Sequence, residues 1–161
     1  MTTRLNRLRS LKVFTASLFC AAVLFAIGVP AGAWSEVQKP SVKNPVPATD
    51  ENIALGLDHY DAHCAQCHGS MGKGDSDKGK AVHAADLTSE AVQSKSDAQL
   101  FHAVAYGVRG SAMPAFRHSH SPDEIWHVIL FVRKLPTLTD DERRSLEAKV
   151  PPTARHKHHE H

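Results

Sequence analysis

The order of apolar and polar positions divides the chain into unlike stretches. Residues 13–29 form a nearly unbroken apolar run, preceded by Arg4, Arg7, Arg9 and Lys12. A polar stretch follows, 35–49, broken by Pro40, Pro45 and Pro47; it reads as a semi-rigid spacer without a fold of its own. Beyond it the apolar positions take up a helical period. Ile53, Gly56, Leu57 and Tyr60 recur at three- and four-residue steps and predict a helix capped by Thr49 or Asp50 and running to about residue 63. Gly56 costs about 1 kcal/mol relative to Ala inside a helix, so its presence predicts a close crossing with another helix.

Two further helices carry clear start signals. Ser96 with Gln99 three residues on has capping-box spacing and opens a helix over 97–106, with Leu100, Phe101 and Val104 on its apolar face and Gly107 at its end. Ser121-Pro122-Asp123-Glu124 combines an N-cap, proline at the first helical position and a capping-box glutamate. The helix it opens runs to about residue 135 and is apolar around so much of its circumference that it must be buried on more than one side. A short amphipathic helix is expected over 139–149, with Leu146 and Val150 on one side, and Pro151-Pro152 is expected to stop any helix. The glycine-rich, charged stretch containing Gly69, Gly72, Gly74 and Gly79 reads as a solvated loop. The whole is an all-α pattern.

With 161 residues there is room for one domain and its appendages. The expected divisions are 1–33, 34–49, a domain over 50–136, and an extension over 137–161 ending in a histidine-rich tail. A basic start, an apolar run and Ala31-Gly32-Ala33 before Trp34 describe a signal peptide with an A-x-A cleavage site. The competing reading is a retained membrane anchor: the run has 17 residues, including Thr15, Ser17 and Gly28, at the short end of the ~17–25 that span a bilayer. Either places the remainder outside the cytoplasm, in the periplasm. Cys20 follows Phe19 instead of a small residue, so it belongs to the apolar run and not to a lipid attachment site. The formal net charge of +2 depends on the four N-terminal basic residues; setting them aside leaves 15 basic against 17 acidic residues. Nothing in that balance suggests a nucleic-acid partner, and none is expected.

The chemistry is concentrated in Cys64-Ala65-Gln66-Cys67-His68. C-x-x-C-H is the attachment signature of a c-type haem. On a helical turn, residues three and four apart share a face, so Cys64 and Cys67 reach two vinyl groups along one porphyrin edge and His68 follows as the proximal iron ligand. A thioredoxin-type pair would want a βαβ context that the chain does not offer, and a zinc site would want a second ligand pair. For the other face of the iron, Met1 lies in the export segment and Met71 is only three residues past His68, which leaves Met113, held by Pro114 between two helices. His118 and His120, in the same loop, are the rival ligands. His59, His63, His83, His102 and His127 show no spacing that points to a ligand set. His156, His158, His159 and His161 form a tail able to bind a divalent metal or to remain solvated.

Taken together, Gly56 and Tyr60 ahead of the motif, Cys64 to Gly69, Gly107 through Met113-Pro114-Ala115-Phe116, and the helix from Trp126 onward resemble a bacterial class I mono-haem cytochrome c over about residues 52–135. The resemblance implies an all-α fold of three to four helices wrapped around one covalently bound haem, the first helix crossing the last near Gly56, Val128 and Phe131. It implies Cys64 and Cys67 as thioether residues, His68 and Met113 as axial ligands, and a single-electron carrier, not an enzyme, working between donor and acceptor redox proteins. Arg109 is placed to pair with a haem propionate. Many relatives carry proline before the Asp-Leu of the middle loop, where a backbone carbonyl accepts from the proximal histidine; here Ala85 precedes Asp86-Leu87, and that bond is not assigned. Membrane contact is expected only through an uncleaved anchor. The alternatives are a haem c subunit of a larger oxidoreductase or respiratory complex and, less favoured, a thiol-redox or metal-trafficking protein using Cys64, Cys67 and the tail.

Overall fold

The computed structural model describes residues 43–155. The expected export segment, most of the proline-rich stretch and the histidine-rich tail lie outside these residues. All regular elements among them are helical: α1 (Asp50–His63), α2 (Ala65–His68), α3 (Asp77–Val82), α4 (Glu90–Gln93), α5 (Asp97–Tyr106), α6 (Pro122–Lys134), a 3-10 turn (Leu135–Thr137), α7 (Asp140–Lys149) and α8 (Pro152–Arg155). No helix among the described residues is long and apolar enough to cross a membrane.

The start signals act as their chemistry requires. Thr49 accepts from Asn52 N at the start of α1, and full capping boxes close Ser96 with Gln99, Ser121 with Glu124, and Thr139 with Glu142. Each satisfies backbone N–H groups that a helix start otherwise leaves without partners.

The core forms where α1 crosses α6. Ala54, Leu57 and Tyr60 from α1 are sealed against Ile125, Val128, Ile129, Phe131 and Val132 from α6. The Tyr60 and Phe131 rings meet at 5.0 Å, tilted by 55°. Gly56 makes the approach possible: a β-carbon there would lie 2.6 Å from the His127 carbonyl carbon and 3.1 Å from Phe131 Cβ, so no larger residue fits between these backbones. On the other side of α6, Phe101 of α5 stacks against Trp126 at 4.3 Å. Arg133 ties the same helix to Asp97 and to the Gln93 carbonyl.

Four segments differ from the sequence-based expectation. The glycine-rich stretch contains α3, because Ser76 caps it through Gly79 N and the charged residues of 77–82 face outward. The buried core continues past residue 136: Leu138, Leu146 and Val150 join it, and Arg143 of α7 donates to the Asp61 carboxylate and to the Ser70 carbonyl. Pro151-Pro152 ends α7 but does not end helicity, since Pro152 opens α8, at a position where a missing N–H costs nothing. The last residues of the proline-rich stretch are also tied down, with Asn44 N donating to Asp97 and Asn44 Nδ2 to the Trp126 carbonyl.

Candidate haem-binding site

The motif occupies the joint between α1 and α2. Cys64 N donates to Tyr60 O, ending α1, and the Cys64 carbonyl then accepts from Cys67 N at 3.0 Å and from His68 N at 2.9 Å. Cys64, Cys67 and His68 therefore share one helical turn, and neither cysteine is in a disulfide. This is the arrangement that two thioethers and a neighbouring ligand demand.

Three contacts fix the turn. Tyr60, fully buried, donates its hydroxyl to the Gly69 carbonyl at 2.7 Å and so anchors the backbone just after His68. Burial pushes the phenol well above its ordinary value, so it remains a donor at any physiological pH. Ser76 Oγ donates to the carbonyls of Gln66 and Cys67, and α3 presses against α2 at Gly79, where a β-carbon would collide with the Cys67 carbonyl oxygen. Gly74 N closes the loop on the His68 carbonyl at 2.7 Å.

The support behind His68 is present after all. His68 Nδ1 lies 2.9 Å from the Ala85 carbonyl oxygen. A carbonyl can only accept, so Nδ1 carries the proton and Nε2 is left with its lone pair for a metal. Proline is not needed for this, because the acceptor belongs to the backbone and survives a change of side chain. What must be fixed is the backbone itself. Asp86 Oδ1 accepts from Thr88 N at 2.8 Å and from Thr88 Oγ1 at 2.6 Å, and Leu87 N donates to Gly72 O at 2.7 Å. The Thr88 hydroxyl holds the half-buried Asp86 carboxyl below the usual carboxylate range.

Cys64 faces a small pocket walled by Val104, Phe116 and Val128. Burial, with lesser contributions from the Asp61 charge and Cys67, pushes its thiol up to about 12.

Met113 sits half-buried in the loop between α5 and α6. That loop is stitched by its own backbone: Val108 N donates to Met113 O, Met113 N to Ser111 Oγ, and Phe116 N to Val104 O. The rival histidines have other partners. His118 accepts from Arg117 Nε at 3.0 Å, and His120 packs edge-on against His63, His59 and Phe116. Met71 packs against the hydrophobic core. Arg109 is exposed in the same loop. Sequence reasoning left the bond at Ala85, which acts through its backbone, unassigned, and found no ligand spacing in His59 and His63, although they stand four residues apart on α1.

The residues present suit a covalently held haem: two cysteines on one turn, neither in a disulfide, followed by an imidazole whose Nδ1 is paired with a backbone carbonyl. No curated protein matches the chain. A family model described as cytochrome c oxidase, cbb3-type, subunit III matches residues 51–132, from the first turn of α1 to the last turn of α6 and about half of the chain. The chain belongs to this family: it is a mono-haem c-type cytochrome with an all-α fold, carrying haem c and acting as an electron carrier or an oxidase subunit.

Proposed function

We propose that the protein is an exported single-electron carrier in which His68 and Met113 are the axial ligands and Cys64 and Cys67 the thioether residues. The observation that supports it most is the His68 Nδ1 to Ala85 carbonyl bond, which fixes one tautomer and aims a basic nitrogen outward from a rigid turn. When bound, haem c supplies a one-electron ferric/ferrous couple. The chain's own part is to hold that couple still. Tyr60 and Ser76 lock the turn, the α1–α6 core prevents it from moving, and the stitched 107–116 loop holds Met113 in a restricted position. With both axial positions taken by protein, no site remains for a substrate, which favours a carrier over a catalyst. The basic and then apolar N-terminal pattern supports export to the periplasm.

Replacing Met113 by Ala in the holoprotein tests the ligand assignment. The variant is expected to bind added cyanide or imidazole and to have a lower midpoint potential. An unchanged spectrum and potential would move the assignment to another side chain.

A second reading, the haem subunit of a membrane oxidase, is favoured by the description of the family. Isolation from native membranes separates the two. A soluble monomer that exchanges electrons freely supports the carrier; recovery in fixed proportion with larger chains supports the subunit.

A further inference from the structure

Apart from the haem motif, one group of ligating side chains converges among the described residues. His59 and His63 stand one helical turn apart on α1, and His120 reaches them from the segment just before α6. One ligand nitrogen from each lies within 4.8 Å of the others, and all three residues are partly buried. The rings meet edge to face, His63 with His120 at 4.5 Å and His59 with His120 at 5.9 Å. Glu124, on the first turn of α6, brings Oε1 to 3.8 Å from His59 Nε2.

We propose that His59, His63 and His120 form a binding site for a divalent transition-metal ion of the zinc class, separate from the haem ligands. Three imidazoles are the donor set of a zinc site with an open fourth position. Tetrahedral bonds of about 2.0–2.1 Å place ligand atoms about 3.4 Å apart, so the cluster must close by somewhat over an ångström. His120 belongs to a segment between helices and can supply that movement, while the fixed i,i+4 spacing of His59 and His63 presents two nitrogens on one face. Two further features favour a cation here. His63 lies in the last turn of α1, where the helix dipole is negative, and the Glu124 carboxylate stands beside His59, placed to orient its ring or to serve as a fourth ligand. Cys64 lines the same pocket, so the ion would sit next to the haem attachment point without using any residue that holds the haem.

The histidine-rich tail would compete for metal, so the test uses full-length holoprotein in which His156, His158, His159 and His161 are all changed to Gln. Equilibrium dialysis against micromolar zinc with metal analysis is expected to return one zinc per haem. His120→Gln in the same background should weaken zinc by about 100-fold, and the zinc-induced rise in melting temperature should disappear with it. A second measurement needs no variant of the cluster: zinc should protect His59, His63 and His120, and not His83 or His102, from acylation mapped by mass spectrometry. Failure to bind zinc once the tail is substituted would overturn the proposal. So would zinc binding that His120→Gln leaves intact, or protection at other histidines.

Discussion

Gly56→Ala isolates the contact on which the fold turns. At an exposed helical position the change would stabilise by about 1 kcal/mol, through helix propensity alone. Here the added β-carbon would sit 2.6 Å from the His127 carbonyl carbon, where carbon atoms prefer about 3.5 Å or more. The obstacle is backbone, which cannot rotate away as a side chain can, so α1 and α6 must separate by about 1 Å. A gap of that size forfeits about a quarter to a half of the dispersion energy of the contacts it opens. Those contacts are the fully buried ones: Ala54, Leu57, Tyr60 and Phe131. Overpacking costs typically about 1–3 kcal/mol, and the upper end applies because two whole helices move. Offset by the propensity gain, the net expected loss is about 2 kcal/mol, a large share of a domain's ~5–15 kcal/mol. Urea unfolding of the holoprotein, followed by far-ultraviolet circular dichroism, should show the midpoint falling by about 1 M. An unchanged or raised midpoint would refute the crossing geometry, since only a loose interface lets propensity win.

The remaining perturbations act on the turn and its supports. Arg143→Ala removes the donors to Asp61 and the Ser70 carbonyl and should cost about 1–2 kcal/mol, Asp61 being partly exposed; Arg143→Lys should recover less than half in the same unfolding assay, because an ammonium cannot span both carboxylate oxygens and the carbonyl. Glu142 has its carboxyl pulled down to about 2, first by Lys134 and then by Thr139 N. Its stabilisation is therefore complete above pH 4.5 and lost as pH falls toward 2, so Glu142→Gln should flatten that limb of a melting-temperature profile, and added salt should shrink the difference. Asp86→Ala frees the turn that fixes the Ala85 carbonyl; with a weaker bond to Nδ1 the imidazole becomes less basic, and a redox titration should show a higher midpoint potential.

How much could be read in advance depended on whether a residue acts through its side chain and its near neighbours. Ser96 with Gln99 and Ser121 with Glu124 announce their helices because both halves of each box lie within one turn, and the structure starts α5 and α6 where they predict. Gly56 was legible for the opposite reason, a residue whose local cost demanded a distant explanation, and His127 supplies it. The helix α3 was hidden because its glycine and charges carry loop composition, while its stability comes from packing against Cys67 and from Ser76. Leu146 and Val150 were recognised as one face, but the sequence alone does not say what covers them; α1 does.

The two omissions at the site share a cause. Ala85 holds His68 through a carbonyl that every residue possesses, so no residue type could mark it; only the fold can bring that oxygen within 2.9 Å of Nδ1. This explains how alanine can stand where the family resemblance leads one to expect proline: the position asks for a fixed backbone, and Asp86 with Thr88 fixes it by hydrogen bonds where a proline ring would fix it by covalent restraint. His120 likewise became a partner of His59 and His63 only when the crossing at Gly56 set the start of α6 beside the end of α1. The same close approach thus stabilises the core behind the haem motif and assembles the histidine cluster beside it. Loosening that crossing should weaken both together, and Gly56→Ala should lower zinc uptake in the tail-substituted protein as well as its unfolding midpoint.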